Sequence, residues 1–286
     1  MKRAAEDGGA DMYKKSVCVL LFLCIGLLLF GQSGLEIIVE ENNGGLIITK
    51  SKGTAENLAI PETIDGKSVT AIGSGAFTGK GLVEVAIPDS VTTIGDGAFS
   101  FNKLVTVSIG NNVLTIGRGA FTGNSLTGVT IGSGVTAIGK GAFSDNQLSS
   151  VTIPDGVSII DDYAFFNNKI TGVSIPDSVI LIGEGAFSGN RLTGIVIGNG
   201  VTQIKDGAFY NNRINSVTIP QALESLGKRA FDTRSADGRI RNSVNYTDTT
   251  GNILLSTANN FDTYYASNGK RPGSYTLADG GWTLAE

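Results

Sequence analysis

Histidine does not occur anywhere in the 286 residues. That absence removes the usual general base near neutral pH and the commonest metal ligand, so Ser-His-Asp, Cys-His and histidine-metal chemistry are all excluded. Cysteine occurs only at Cys18 and Cys24, both inside one apolar run, so a chain cleaved after that run has no thiol and no disulfide to lean on. Six prolines stand against 40 glycines, a balance that suits a backbone turning often. Basic residues are not in excess either: 22 Lys and Arg face 26 Asp and Glu, for a net charge of −4. Phosphate binding needs a concentrated basic surface, so nothing argues for nucleic acid.

What the chain does have is a period. Phenylalanine stands at Phe77, Phe99, Phe121, Phe143, Phe165, Phe187, Phe209 and Phe231, every step 22 residues, and alanine precedes each one. A fixed period of about 20 to 50 residues signals stacked repeats and changes the meaning of every local motif. One copy reads Leu82-x-x-Val85-x-Ile87-Pro88-x-x-Val91-x-x-Ile94-Gly95-x-Gly97-Ala98-Phe99-x-x-Asn102. Alternation at Val85 and Ile87 predicts a strand that Pro88 ends, Val91 to Ile94 a second extended piece, and Gly-x-Gly-Ala-Phe no more than a helical turn. The predicted fold is therefore a repeat solenoid, strand-rich with short helical turns, of about eight coils and roughly 40 Å long at the ~4.8 Å spacing of stacked strands.

Seven of the 22 positions are apolar in nearly every copy and line the inside of such a coil. The phenylalanines read as structural core. Asn102, Asn124, Asn146, Asn168, Asn190 and Asn212 read as a ladder of amides that bond backbone groups of their own and adjacent coils, with Lys80 replacing Asn in the first full turn.

The ends depart from the period. Residues 1–33 hold Lys14-Lys15, the apolar run Val17 to Gly31, and small residues after it, the order of a signal peptide; the run is short for a membrane span. A membrane contact is expected only through this signal or anchor segment. Residues 34–54 read as a β-hairpin cap, Ile37-Ile38-Val39 against Leu46-Ile47-Ile48, with Asn and Gly at the turn. Residues 55–232 are the solenoid, with five additional residues in Glu62 to Ser68. Residues 233–260 read as an irregular last turn or linker with a possible strand at Ile253 to Leu255, and 261–286 as an aromatic cap or tail.

The repeat pattern resembles the Treponema-type leucine-rich repeat of BspA-like bacterial surface proteins, and the irregular opening Leu58 to Gly73 looks like that family's first unit. The resemblance implies a leucine-rich repeat coil in an exported protein that attaches to extracellular or host matrix proteins, as a protein-binding or adhesion module, secreted or at the cell surface. A structural scaffold of the envelope or periplasm with no dedicated ligand is the alternative.

Candidate chemistry is sparse. The Gly-x-Gly corners recur with the coil and precede no long helix, which marks them as turns and not cofactor loops. Asp161, Asp162, Glu184 and Asp206 share slots with Arg118, Lys140 and Lys205, so they read as solvated surface, and no catalytic, metal or cofactor set is expected. The outward strand positions Ala86, Ser108, Thr130, Thr152, Ser174, Val196 and Thr218 form a field of small side chains without anchors. Two groups remain as binding candidates. Lys169, Arg191 and Arg213 make one edge increasingly basic, suited to acidic proteins or glycans, and Tyr264, Tyr265, Tyr275 and Trp282 make the tail aromatic.

Overall fold

The computed structural model describes residues 34–214, 216–218 and 220–234, with strand segments at Leu21–Phe22, Ile240–Arg241, Asn245–Thr247, Ile253–Leu255, Tyr275–Ala278 and Gly281–Leu284. One coil shows how each is built. In the strand Glu84–Ile87, Val85 and Ile87 are buried while Glu84 and Ala86 face out, as period-2 alternation requires. Pro88, without an N–H, cannot extend the ladder. Thr93–Ile94 forms a second, short strand. The chain then turns: the Ala98 N–H donates to Gly95 O at 3.2 Å and the Ser100 N–H to Gly97 O at 3.0 Å. These i to i+3 bonds close single turns that never propagate, and no helix occurs among the described residues.

Coils stack in parallel, each residue beside its own repeat equivalent. Ile94 pairs with Ile116, Ile116 with Ile138, Ile138 with Ile160, and the series continues to Leu226. Those short strands make one sheet along the entire solenoid. The longer strands make two sheets, from Asn57–Ala59 to Gly128–Thr130 and from Gly172–Ile175 to Asn245–Thr247 and Ile253–Leu255. Residues 150–153 between them form no strand, and Val129 beside this gap is only partly buried.

At the N-terminal end, Glu36–Asn42 pairs antiparallel with Gly45–Lys52 through Asn43 and Gly44, both at positive φ, the conformation a two-residue hairpin turn requires. Gly45–Lys52 then pairs in parallel with Lys67–Ile72, so the hairpin caps the open end of the short-strand sheet. Leu21–Phe22 adds to its outer edge; the rest of the N-terminal apolar run, with Cys18 and Cys24, lies outside the described residues. The additional residues after Pro61 form a second hairpin, Thr63–Ile64 against Lys67–Ile72, turned at Asp65 and Gly66.

Inside the coil the eight phenylalanines are at most 2% exposed and form one stack, with centroids 5.1–5.4 Å apart and planes within 3–14°. Each buried ring stabilises by roughly 1.5–3 kcal/mol through removal from water, and stacking adds about 0.5–1.5. Beside them runs the amide column. Asn146 Oδ1 accepts the Leu126 N–H at 3.0 Å, and its Nδ2 donates to Phe121 O at 2.9 Å and Phe143 O at 3.2 Å. The same bonds recur at Asn102, Asn124, Asn168, Asn190 and Asn212. The column thus ties each coil to the one before it at every step.

Candidate functional site

Two columns at the corner of the coil sit at positive φ. Two residues before each phenylalanine stand Gly75, Gly97, Gly119, Gly141, Gly185 and Gly207, at φ between 56° and 65°; Tyr163 and Arg229 interrupt them at 58° and 57°. Two residues after each phenylalanine from Phe77 to Phe209, Gly, Asn and Asp share the column with one aromatic, Phe101 at φ 54°, which is 67% exposed. A bulky residue in this region costs on the order of 1–3 kcal/mol, so Tyr163, Arg229 and Phe101 are held there against local preference.

Tyr163 and Arg229 mark the two ends of a groove. Its volume is about 350 Å³, and it is lined by Tyr163, Glu184, Gly185, Ser188, Asp206, Gly207, Tyr210, Lys228 and Arg229. Because coils stack in register, the column runs Tyr163, Gly185, Gly207, Arg229, a two-coil floor of glycine between two large side chains. A Cβ on Gly185 would lie 2.6 Å from Tyr163 Cε1, so the ring lies against that floor. Phe166 meets the Tyr163 ring edge-on at 5.8 Å, Lys140 Nζ sits 5.6 Å from its centroid, and the phenol donates to the Glu184 carboxylate. At the other end the Arg229 guanidinium lies 4.6 Å from the Tyr210 ring centroid, and its Nε bonds Asp232 Oδ2 at 3.1 Å.

The acidic residues here do more than meet solvent. Asp162 Oδ1 accepts the Glu184 N–H at 2.9 Å and Asp206 Oδ1 the Lys228 N–H at 2.8 Å, each bonding the coil that follows. Burial on its own raises the Asp162 carboxyl, but the Glu184 N–H and the Lys205 and Lys140 ammonium groups, at 3.2 and 3.5 Å, outweigh it and hold the group below the usual carboxylate range. The hydrogen bond to Glu184, burial and the adjacent negative charge all push the Tyr163 phenol upward, so it stays a donor.

Lys169, Arg191 and Arg213 lie elsewhere, exposed on a single edge just past the amide column, one coil above the next. Lys169 Nζ donates to Gln147 Oε1 at 2.9 Å, and no carboxylate pairs with the three among the described residues. Tyr264 and Tyr265 lie outside the described residues; Tyr275 and Trp282 fall on the antiparallel ribbon Tyr275–Ala278 with Gly281–Leu284, whose side chains are likewise outside them. The outward strand face is flat and exposed from Ala86 to Val196. Sequence reasoning passed over the groove because it read the corner as turns throughout. The signal was present: Tyr163 replaces the glycine of most other copies, and Tyr210 stands where five copies carry Ser or Thr.

A family model described as a BspA type leucine rich repeat region matches the chain in six copies, over residues 52–171, 115–237 and 158–258. Solved structures that resemble it include a leucine rich cell surface protein from Faecalibacterium prausnitzii A2-165, at 23% identity over 80% of this chain, with a TM-score of 0.48. The chain spans 61% of that protein's length. The T. pallidum leucine rich repeat protein shares 25% identity over 58% of this chain and 85% of its own, with a TM-score of 0.46. A leucine-rich repeat protein from Bacteroides ovatus ATCC 8483 shares 21% identity over 78% and 71%, with a TM-score of 0.47. No curated protein matches significantly.

Proposed function

The chain belongs to the BspA-type leucine-rich repeat family, and from that premise we propose that it is an exported, non-catalytic binding module that attaches to an extracellular or host matrix protein at the cell surface. The observation that supports this most is the concentration of anchor-type side chains at one place. Tyr163, Tyr210 and Arg229 converge on the groove, whereas the outward strand face carries mostly Gly, Ser and Thr. Tyr and Arg dominate the energetics of protein interfaces, and small hydroxyl residues rarely do. The order of basic, apolar and small residues before Gly34 supports export.

The test measures saturable binding of the purified full-length chain to immobilised matrix proteins, beside a double variant, Tyr163→Gly with Tyr210→Ser. Both changes restore what other copies already hold, so the fold is retained while the anchors go. Loss of binding by about tenfold or more supports the reading. No saturable binding by the unaltered chain, or binding only to intact-cell interiors opened by lysis, overturns it.

A further inference from the structure

The residue following each phenylalanine forms a column of hydroxyls that satisfy one another. Thr78 Oγ1 and Ser100 Oγ lie 3.1 Å apart, Thr122 Oγ1 and Ser144 Oγ 2.6 Å apart, and Ser100 Oγ also donates to Gly97 O. Ser188 is the exception. Its neighbours in the column are Phe166 and Tyr210 in place of Ser or Thr, so the pairing is broken on both sides. The Ser188 hydroxyl makes no hydrogen bond among the described residues, and it lines the groove at a point that solvent still reaches. Unlike the paired hydroxyls of the other coils, it is free to exchange a hydrogen bond with a molecule in the groove.

The other lining groups narrow what that partner is. Glu184 and Asp206 are opposed by Lys228 and Arg229, so the lining has no net formal charge and no field that selects an ion of either sign. Glu184 Oε1 and Asp206 Oδ1 are occupied by Tyr163 and the Lys228 N–H, while the second oxygen of each carboxylate has no protein partner among the described residues. Convergent acceptors, a hydroxyl able to give or take a proton, aromatic side walls and a glycine floor suit a compact ring with hydroxyls on its rim and C–H groups on its faces. The volume is at the lower end of the ~300–1,000 Å³ typical of small-molecule sites, enough for one or two such rings.

We propose that the groove between Tyr163 and Arg229 binds a neutral hexose unit of an oligosaccharide. The sugar hydroxyls donate to Glu184 and Asp206 and exchange a hydrogen bond with Ser188, while the C–H face packs on Tyr163 or Tyr210. This rests on the reading of the chain as a binding module and assigns the part of an extracellular partner that it recognises. No bond is made or broken.

The test titrates full-length chain by calorimetry with neutral disaccharides of glucose, galactose and mannose, and with a short polylysine peptide, at low and high salt. The expected result is saturable, salt-insensitive binding of at least one disaccharide, weakened about tenfold by Tyr163→Gly and by Tyr210→Ser. Tyr210→Ser additionally returns a hydroxyl neighbour to Ser188. Thermal unfolding of each variant near the unaltered midpoint shows that the fold has survived. Ser188→Ala, small and buried, weakens binding without moving the melt. Binding of polylysine alone, falling with salt, overturns the proposal in favour of a cationic peptide site. Absence of any disaccharide binding, or binding indifferent to all three substitutions, overturns it as well. If disaccharide binds and no matrix protein does, the proposal stands and the protein-attachment reading falls; the converse result separates them the other way.

Discussion

Replacing Asn146 by alanine removes four hydrogen bonds from a residue that is 7% exposed, and the cost is set by which partners are left without a substitute. Phe121 O keeps the Asn124 amide at 3.0 Å, Phe143 O keeps the Asn168 amide at 2.9 Å, and Ser144 O keeps the Gly123 N–H at 3.1 Å. The Leu126 N–H loses its side-chain acceptor and stays buried. One stranded donor costs about 1–3 kcal/mol, and the lost bonds to already satisfied carbonyls add a few tenths to one each, so Asn146→Ala should destabilise by about 2–4 kcal/mol. Asn146→Asp separates the hydrogen-bond account from a simple cavity effect. It keeps the acceptor for Leu126 but turns an anionic oxygen toward Phe121 O and Phe143 O. Burial and those carbonyls raise the folded-state pKa of the new carboxyl above its unfolded value of about 3.9. Relative to the unaltered chain this variant is therefore most stable below that unfolded value, and it loses stability as pH rises through the raised one. The assay is urea unfolding of both variants at pH 4 and pH 7, with Asn112→Ala as an exposed control. An Asn146→Ala midpoint matching the control, or an Asn146→Asp variant equally stable at both pH values, would refute the reasoning.

Phe143→Ala, in the middle of the stack, should cost about 3–5 kcal/mol through lost burial and the cavity left between Phe121 and Phe165, read as a lowered unfolding midpoint. Asp162 predicts a pH dependence of its own. Because its folded pKa lies below the ordinary value of 3.8, the stability it supplies is present above that value and is lost as pH falls through the depressed one. Asp162→Asn should flatten that part of an acid-unfolding profile, by no more than about 1 kcal/mol since the ammonium partners are half exposed.

How much of this was legible depended on whether a residue agreed with its repeat equivalents. Phe99, Asn102, Val85 and Ile87 recur unchanged or nearly so, and recurrence at a fixed period implies stacking in register, from which the parallel sheets and the strand-rich coil follow. Three things stayed out of view. Residues 150–153 form no strand although their sequence, Ser150-Val151-Thr152-Ile153, matches the pattern of their neighbours; nothing in the structure explains the gap. The extra residues Glu62 to Ser68 looked irregular because they interrupt the period, yet Asp65-Gly66 supplies the two positive φ angles of a tight hairpin. The groove was hidden because a turn seen eight times invites the same reading each time.

The two corner positions that most coils fill with glycine explain why departures from the pattern carry information. The first is glycine in every coil except those with Asp161 and Lys205, and at Gly183 and Gly227 the preceding coil leaves no room: a Cβ would lie 2.3 Å from Asp162 N and 2.2 Å from Asp206 N respectively. The second favours glycine because φ is positive, and there a Cβ would meet side chains but no backbone. A side chain at the second position therefore meets backbone strain but no backbone clash, and it projects from the corner. An aromatic or a guanidinium can be added there without disturbing the Phe stack or the amide column. Tyr163 and Arg229 occupy it three coils apart, which leaves the two glycines Gly185 and Gly207 between them. In a solenoid whose core positions are fixed by stacking, such tolerated but strained positions are where a surface can acquire a recognition site at little risk to the fold.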